Sequence, residues 1–205
     1  MTKQKRESFV TPKGIAVYPW LNTPDTKFSP EGDYKVTLKL PTNEAEPLME
    51  KLTGIAEEYF NELVKSDPKA KNLKITYPFE EETDDQGNLT GSYLFKFKQK
   101  AQVTGRDGTN YNMKVALFDA KRNPITALVG GGSEIKIAAT IWPYMMNTTK
   151  TVGLSLKPTA VQVINLQAVG TSSMANMFNE EDGFVEDIKA PSEVYTDDAM
   201  DASDF

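Results

Sequence analysis

Two stretches of the sequence interleave aromatic rings with ammonium groups. Tyr93, Phe95, Lys96, Phe97, Lys98 and Lys100 form one, and Lys136, Trp142, Tyr144 and Lys150 form the other. Such a mixture suits a flexible polyanion that carries flat π systems. Rings stack on bases at about 1–3 kcal/mol per base, while lysines line the path of the phosphates. The plain alternative is a hydrophobic core beneath a solvated charged face, and alternation alone leaves both readings standing. Phe95 and Phe97 fit the core. Trp142 and Tyr144 flank Pro143 near a strand end, where the sequence leaves their exposure open.

Other chemistry is narrowed by what the chain lacks. It holds neither cysteine nor histidine, which removes thiol nucleophiles, zinc-thiolate sites, the usual general base and the commonest metal ligand. The run from Glu80 to Asp85 could in principle hold a divalent ion for a nuclease, but consecutive loop acids without ordered oxygen geometry are normally solvated. Gly130–Ser133 lacks the Gly-Lys-Ser/Thr of a phosphate-binding loop and reads as a turn between strands. No catalytic residue, metal or cofactor is expected.

The elements that must position these groups follow from periodicity. Strand patterns occupy Gly14–Trp20 and Asp33–Leu40, the latter with Tyr34, Val36, Leu38 and Leu40 on one face and Lys35, Thr37 and Lys39 on the other. Residues 22–32, with two prolines and a glycine, read as a loop. Leu48, Leu52, Ile55, Tyr59 and Leu63 recur at helical spacing, predicting one amphipathic helix over about 43–65, with Asn43 and Glu46 as a capping box and Ser66-Asp67-Pro68 as its end. A connector with a weak strand at Leu73–Phe79 follows. A hairpin is expected from Ser92–Val103 through the Gly105–Gly108 turn into Tyr111–Phe118, and a second strand pair from Glu134–Tyr144 and Thr151–Leu166. About six strands and one long helix predict an all-β fold, a small Greek-key barrel rather than a parallel sheet.

Charge divides the chain. From Glu180 to Phe205 ten acids face one base, Lys189, so this end carries −9 while residues 1–179 carry +3, within a total of −6. A mildly basic body with an acidic tail suggests a phosphate-binding surface and a regulatory segment. Residues 1–13 read as a flexible basic arm, 14–167 as the folded domain, and 168–205 as a disordered acidic tail, too poor in apolar surface to offset its ordering entropy. Held close to a basic groove, that tail could compete with phosphates, and Phe205 offers a ring and an α-carboxylate as an anchor. No run is long and apolar enough for a membrane span, and the N-terminus lacks the apolar core of a signal peptide, so a soluble, intracellular protein without membrane contact is expected.

Several segments, taken in order, carry a resemblance: Asp33-Tyr34-Lys35-Val36-Thr37-Leu38 with Pro41, Phe95-Lys96-Phe97-Lys98, Gly130–Ser133 continuing through Pro143-Tyr144 and Asn147-Thr148, and the acidic run closing on Asp204-Phe205. In this the chain resembles the single-stranded DNA-binding proteins of T-seven-type short-tailed phages, the gene-two-point-five family. The resemblance implies an oligonucleotide/oligosaccharide-binding barrel, no catalysis, a homodimer, and a place in phage DNA replication, recombination and repair in the cytoplasm of the infected bacterium. It implies coating of single-stranded DNA, strand annealing, and contact with the phage DNA polymerase and helicase-primase through the tail. Matched by position, Tyr144, Lys96, Lys98 and Lys136 fall in the DNA groove. Trp142, Lys35, Lys39 and Lys150 complete the candidate set from the residues themselves, and Lys5 and Arg6 lie at the loosely matched amino end. The partner-binding tail set is Asp197, Asp198, Asp201, Asp204 and Phe205. Departures are Ala138 and Glu31, where the family has bases, and Met146, where it has an aromatic. The rival reading is a structural or scaffolding β protein with a solubilising tail.

Overall fold

The computed structural model describes residues 7–105 and 107–167. Chain order is β1 (Ser8–Val10), β2 (Gly14–Asp25), β3 (Asp33–Pro41), α1 (Thr42–Ser66), a 3-10 turn at Pro68–Asn72, β4 (Lys74–Thr76), β5 (Phe79–Thr83), β6 (Leu89–Lys100), β7 (Gln102–Thr104), β8 (Asn110–Asn112), β9 (Ala116–Phe118), β10 (Glu134–Met146) and β11 (Thr151–Asn165). The long strands pair in the circuit β2-β3-β6-β11-β10, and Glu134↔Ile15 and Ile135↔Gly14 close β10 back onto β2. This is a small closed barrel, as expected, built on five long strands rather than six, and among the described residues it leaves no long edge unpaired.

Alternation decides what fills it. Val36, Leu38, Phe95, Phe97, Ile135, Ile137, Ile141 and Leu156 are each at most 2% exposed and meet inside the barrel. Their odd or even neighbours point outward, so the inward set fixes where the candidate lysines on these strands go.

The helix runs from Thr42 to Ser66, but its first half carries the packing: Ala45, Leu48, Leu52 and Ala56 are buried against the ends of β3, β6, β11 and β4. The capping box is not formed. β3 continues to Pro41, which takes the cap position without a side-chain bond, so Asn43 already lies inside the first turn. At the other end the Asp67 N–H donates to Leu63 O at 2.8 Å, and Pro68 prevents further winding.

Three further expectations change. The arm is held from residue 8 onward: β1 pairs with β10, Phe9 is buried 6.5 Å from the Phe97 ring, and Thr11 Oγ1 accepts the Ile137 N–H at 2.9 Å. The acidic stretch expected as a loop is largely strand. β5 pairs with β6 through Phe79↔Phe95 and Glu80↔Leu94, because Phe79 packs against the core and the glutamates find lysine partners. The hairpin after β6 exists as β7–β8, but a bend at Ala101 separates β7 from β6, and Tyr111–Phe118 splits into β8 and β9.

Candidate nucleic-acid interface

The outer face of β3 and β6 brings five lysines together. Lys35 lies opposite Lys98, Thr37 opposite Lys96 and Asp33 opposite Lys100, with Lys39 one step further along β3. Ammonium groups set side by side repel, and the structure answers each with a carboxylate. Lys39 meets Glu82 at 2.6 Å, Lys96 meets Glu80 at 2.7 Å, Lys98 meets Asp33 at 2.9 Å and Lys100 meets Glu31 at 3.1 Å, while Lys35 pairs with Asp25. The hydrogen bond from Lys35 holds the Asp25 carboxyl below its ordinary range, and that from Lys39, with Thr90, does the same for Glu82. Four of the predicted groove lysines, Lys35, Lys39, Lys96 and Lys98, thus share one face, but it is a lattice of ion pairs rather than bare positive charge.

Rings flank this lattice. Tyr144 on β10 lies across Gly153 of β11, and its hydroxyl shares a 3.2 Å hydrogen bond with Thr76 Oγ1 on β4. A Cβ at position 153 would stand 2.9 Å from that hydroxyl and 2.6 Å from the Thr76 carbonyl, so glycine there is what lets the ring lie down. Trp142, two residues away, is half-buried and receives the Lys157 ammonium 3.5 Å from its ring centroid. Lys157 follows Leu156, which pairs with Phe97, and is therefore brought beside Lys98. Pro143 between the two rings has no N–H to offer and sits where β10 pairs only with β11.

The remaining candidates lie apart. Lys136 sits at the far end of β10, and Lys150 in the β10–β11 turn, where its carbonyl accepts the Lys74 N–H. Gly130–Ser133 is a turn whose Gly132 N–H donates to Ala16 O and whose Ser133 Oγ accepts the Gln167 N–H, both 2.8–2.9 Å. No metal-holding group of acids occurs among the described residues, the Glu80–Asp85 run included. Lys5, Arg6, Asp197, Asp198, Asp201, Asp204 and Phe205 lie outside the described residues.

The structure adds groups that the sequence did not single out. Tyr18 is 82% exposed with φ at 48°, and register slips between Val17 and Trp20. This bulge changes the parity of β2, sending Leu21 inward and Trp20 outward beside Lys35. Left-handed backbone at a tyrosine is strained, and such strain gathers where a side chain must be aimed. Phe28, 82% exposed with Lys27 5.4 Å from its centroid, projects from the β2–β3 loop. Ala16 and Leu21, both buried yet an odd number of positions apart, cannot share one face of a regular strand, and this parity is the sequence signal for the bulge.

Known proteins share this architecture. A family model described as the single-stranded DNA-binding protein of bacteriophage T7 matches residues 13–166. The single-stranded DNA-binding protein of Escherichia phage T7 is 25% identical over 152 residues, 69% of this chain and 66% of that protein. That of Enterobacteria phage T3 is 25% identical over 166 residues, 76% of this chain and 72% of its own length. The crystal structure of gp2.5, a single-stranded DNA-binding protein encoded by bacteriophage T7, superposes with a TM-score of 0.67 at 23% identity, covering 89% of this chain and 100% of that one. The bacteriophage Enc34 single-stranded DNA-binding protein in complex with single-stranded DNA gives a TM-score of 0.50 at 16% identity, covering 80% and 89%. With the model spanning 13–166, the chain belongs to the family of the bacteriophage T7 single-stranded DNA-binding protein.

Proposed function

We propose that this protein binds single-stranded DNA without catalysing a reaction, on the outer face of β3, β6, β11 and β10. One observation carries the reading: a continuous band in which Lys35, Lys98 and Lys157 lie between Trp20 at one side and Trp142 at the other. Barrels of this class take oligonucleotides on the face of their second and third strands and on the loops beside it, here β3, β6, the β2–β3 loop with Phe28, and the β10–β11 turn with Lys150. Phosphates replace the carboxylates on the lysines, and unpaired bases stack on the rings. A duplex buries its base faces and has nothing to offer Trp142 or Tyr144, so unpaired strands are preferred.

The finer roles rest on the family. The protein coats single strands in phage replication, acting as a homodimer in the cytoplasm of the infected bacterium. By neutralising phosphates it lowers the repulsion between complementary strands and so promotes annealing. Its acidic end, with Asp197, Asp198, Asp201, Asp204 and Phe205, competes for the lysines and recruits the phage polymerase and helicase-primase once DNA has displaced it. The test is anisotropy titration of a fluorescent oligo-dT with the full chain and with a chain ending at residue 179. The expected results are salt-sensitive binding by the full chain and tighter binding after truncation. No binding at low salt by either chain would reject the function, and equal affinities would reject competition by the tail.

A further inference from the structure

The outer face of β10 continues past Trp142 into a depression that the ion-pair lattice does not reach. Val10, Ala138 and Ala160 lie abreast in register across β1, β10 and β11 and give it a low apolar floor. Phe118, Lys136 and Arg122 wall a volume of about 360 Å³, at the small end of ligand-sized clefts. Among the described residues no acidic side chain lines it, in contrast to the β3–β6 face, where every outward lysine meets a carboxylate. Arg122, which lines the depression, stands at φ 70° in the turn that Asp119 closes by accepting the Asn123 N–H at 2.8 Å. An apolar floor beneath two cations with no carboxylate complements a flat apolar group attached to an anion.

Resting on the single-strand reading above, we infer that this depression holds one nucleobase of the bound strand, with Lys136 and Arg122 on its flanking phosphates. Ala138 lies four residues from Trp142 on the same outward face, roughly 14 Å at strand rise. A strand of the roughly 4 to 16 nucleotides that one such barrel covers is long enough to span that distance. The site therefore extends the path along β10, from Tyr144 and Trp142 to Lys136.

The test compares full-length wild type, Ala138→Phe and Arg122→Asn in anisotropy titrations with dT4 and dT16. Ala138→Phe fills the floor from an outward position, and Arg122→Asn keeps the turn because asparagine tolerates left-handed backbone. Both variants should bind dT16 at least roughly 5-fold more weakly, the low end of losing one stacked base. dT4, too short to fill Tyr144, Trp142 and the depression together, should lose less affinity than dT16, and the thermal midpoints should be unchanged. Wild-type affinity of both variants for dT16 would overturn the inference. So would tighter binding by Ala138→Phe, which would assign the depression to the protein's own acidic end. A wild type that binds neither oligonucleotide sinks the single-strand reading and this site with it.

Discussion

Replacing Glu31 and Glu80 by glutamine should strengthen single-strand binding, although neither carboxylate would touch DNA. Each lies 2.7–3.1 Å from a lysine of β6, and all four side chains are about half exposed, 45% and 53% for the acids and 59–60% for Lys96 and Lys100. Binding in wild type exchanges each lysine–carboxylate pair for a lysine–phosphate pair, so breaking the first opposes forming the second. Exposed pairs of this kind are worth about 0.2–1 kcal/mol each. Removing two should tighten binding by about 0.4–2 kcal/mol, roughly 2- to 30-fold at 1.4 kcal/mol per decade. The salt dependence should change as well. A freed carboxylate gathers a cation and so cancels part of the counterion release; without two of them, the slope of log K against log salt should steepen by up to about 1.4, twice the single-strand value of 0.7 per contact. Anisotropy titration of Glu31→Gln/Glu80→Gln with oligo-dT from low to moderate salt measures both quantities. Unchanged affinity and slope would refute the claim that these acids screen the binding face.

Other perturbations test separate parts of the account. Tyr144→Ala should cost about 1–3 kcal/mol of single-strand affinity with little change in salt slope, whereas Lys98→Ala should lower the slope by less than a full contact because Asp33 already holds that lysine. Gly153→Ala should weaken binding and lower the thermal midpoint together, since its methyl would enter the space of the Thr76 carbonyl and the Tyr144 hydroxyl. Phe95→Ala, at a residue 0% exposed, should destabilise by about 3–5 kcal/mol in denaturant titration. Asp25 and Glu82 have carboxyls held below their ordinary values of 3.8 and 4.5. Their stabilisation is therefore complete above that range and is lost as pH falls through the lowered values. Thermal midpoints should be level from pH 8 to about 5 and drop below about 4; a midpoint rising on acidification would contradict the pairing.

Much of the barrel was legible because its long strands alternate cleanly. Val36 and Leu38 against Lys35 and Lys39, and Phe95 and Phe97 against Lys96 and Lys98, separate the inward from the outward set along the sequence. The helix was equally plain from its apolar spacing, but not its start. Pro41 takes the cap position, so the helix begins at Thr42, two residues before the start that an Asn43 cap would give. β5 was hidden because consecutive glutamates read as solvated loop; what makes them a strand is Phe79 packed against the core and lysines on β3 and β6, partners distant in sequence. The same reason hid the screening of the lysines. Glu31, Glu80 and Glu82 become their neighbours only through register, which local periodicity does not encode. Lys157 over Trp142 likewise needs the β10–β11 pairing, and the left-handed Tyr18 that re-aims Trp20 depends on a single backbone angle.

The central claim is that unpaired DNA lies on the outer face of β3, β6, β11 and β10. Lysine acetylation footprinting with and without saturating oligo-dT, read by mass spectrometry, tests it at residue level. Protection of Lys96, Lys98 and Lys157 is expected, with Lys65, Lys69 and Lys71, exposed at or beyond the end of α1, modified equally in both states. Equal modification of the first three, or protection confined to the second three, would contradict it.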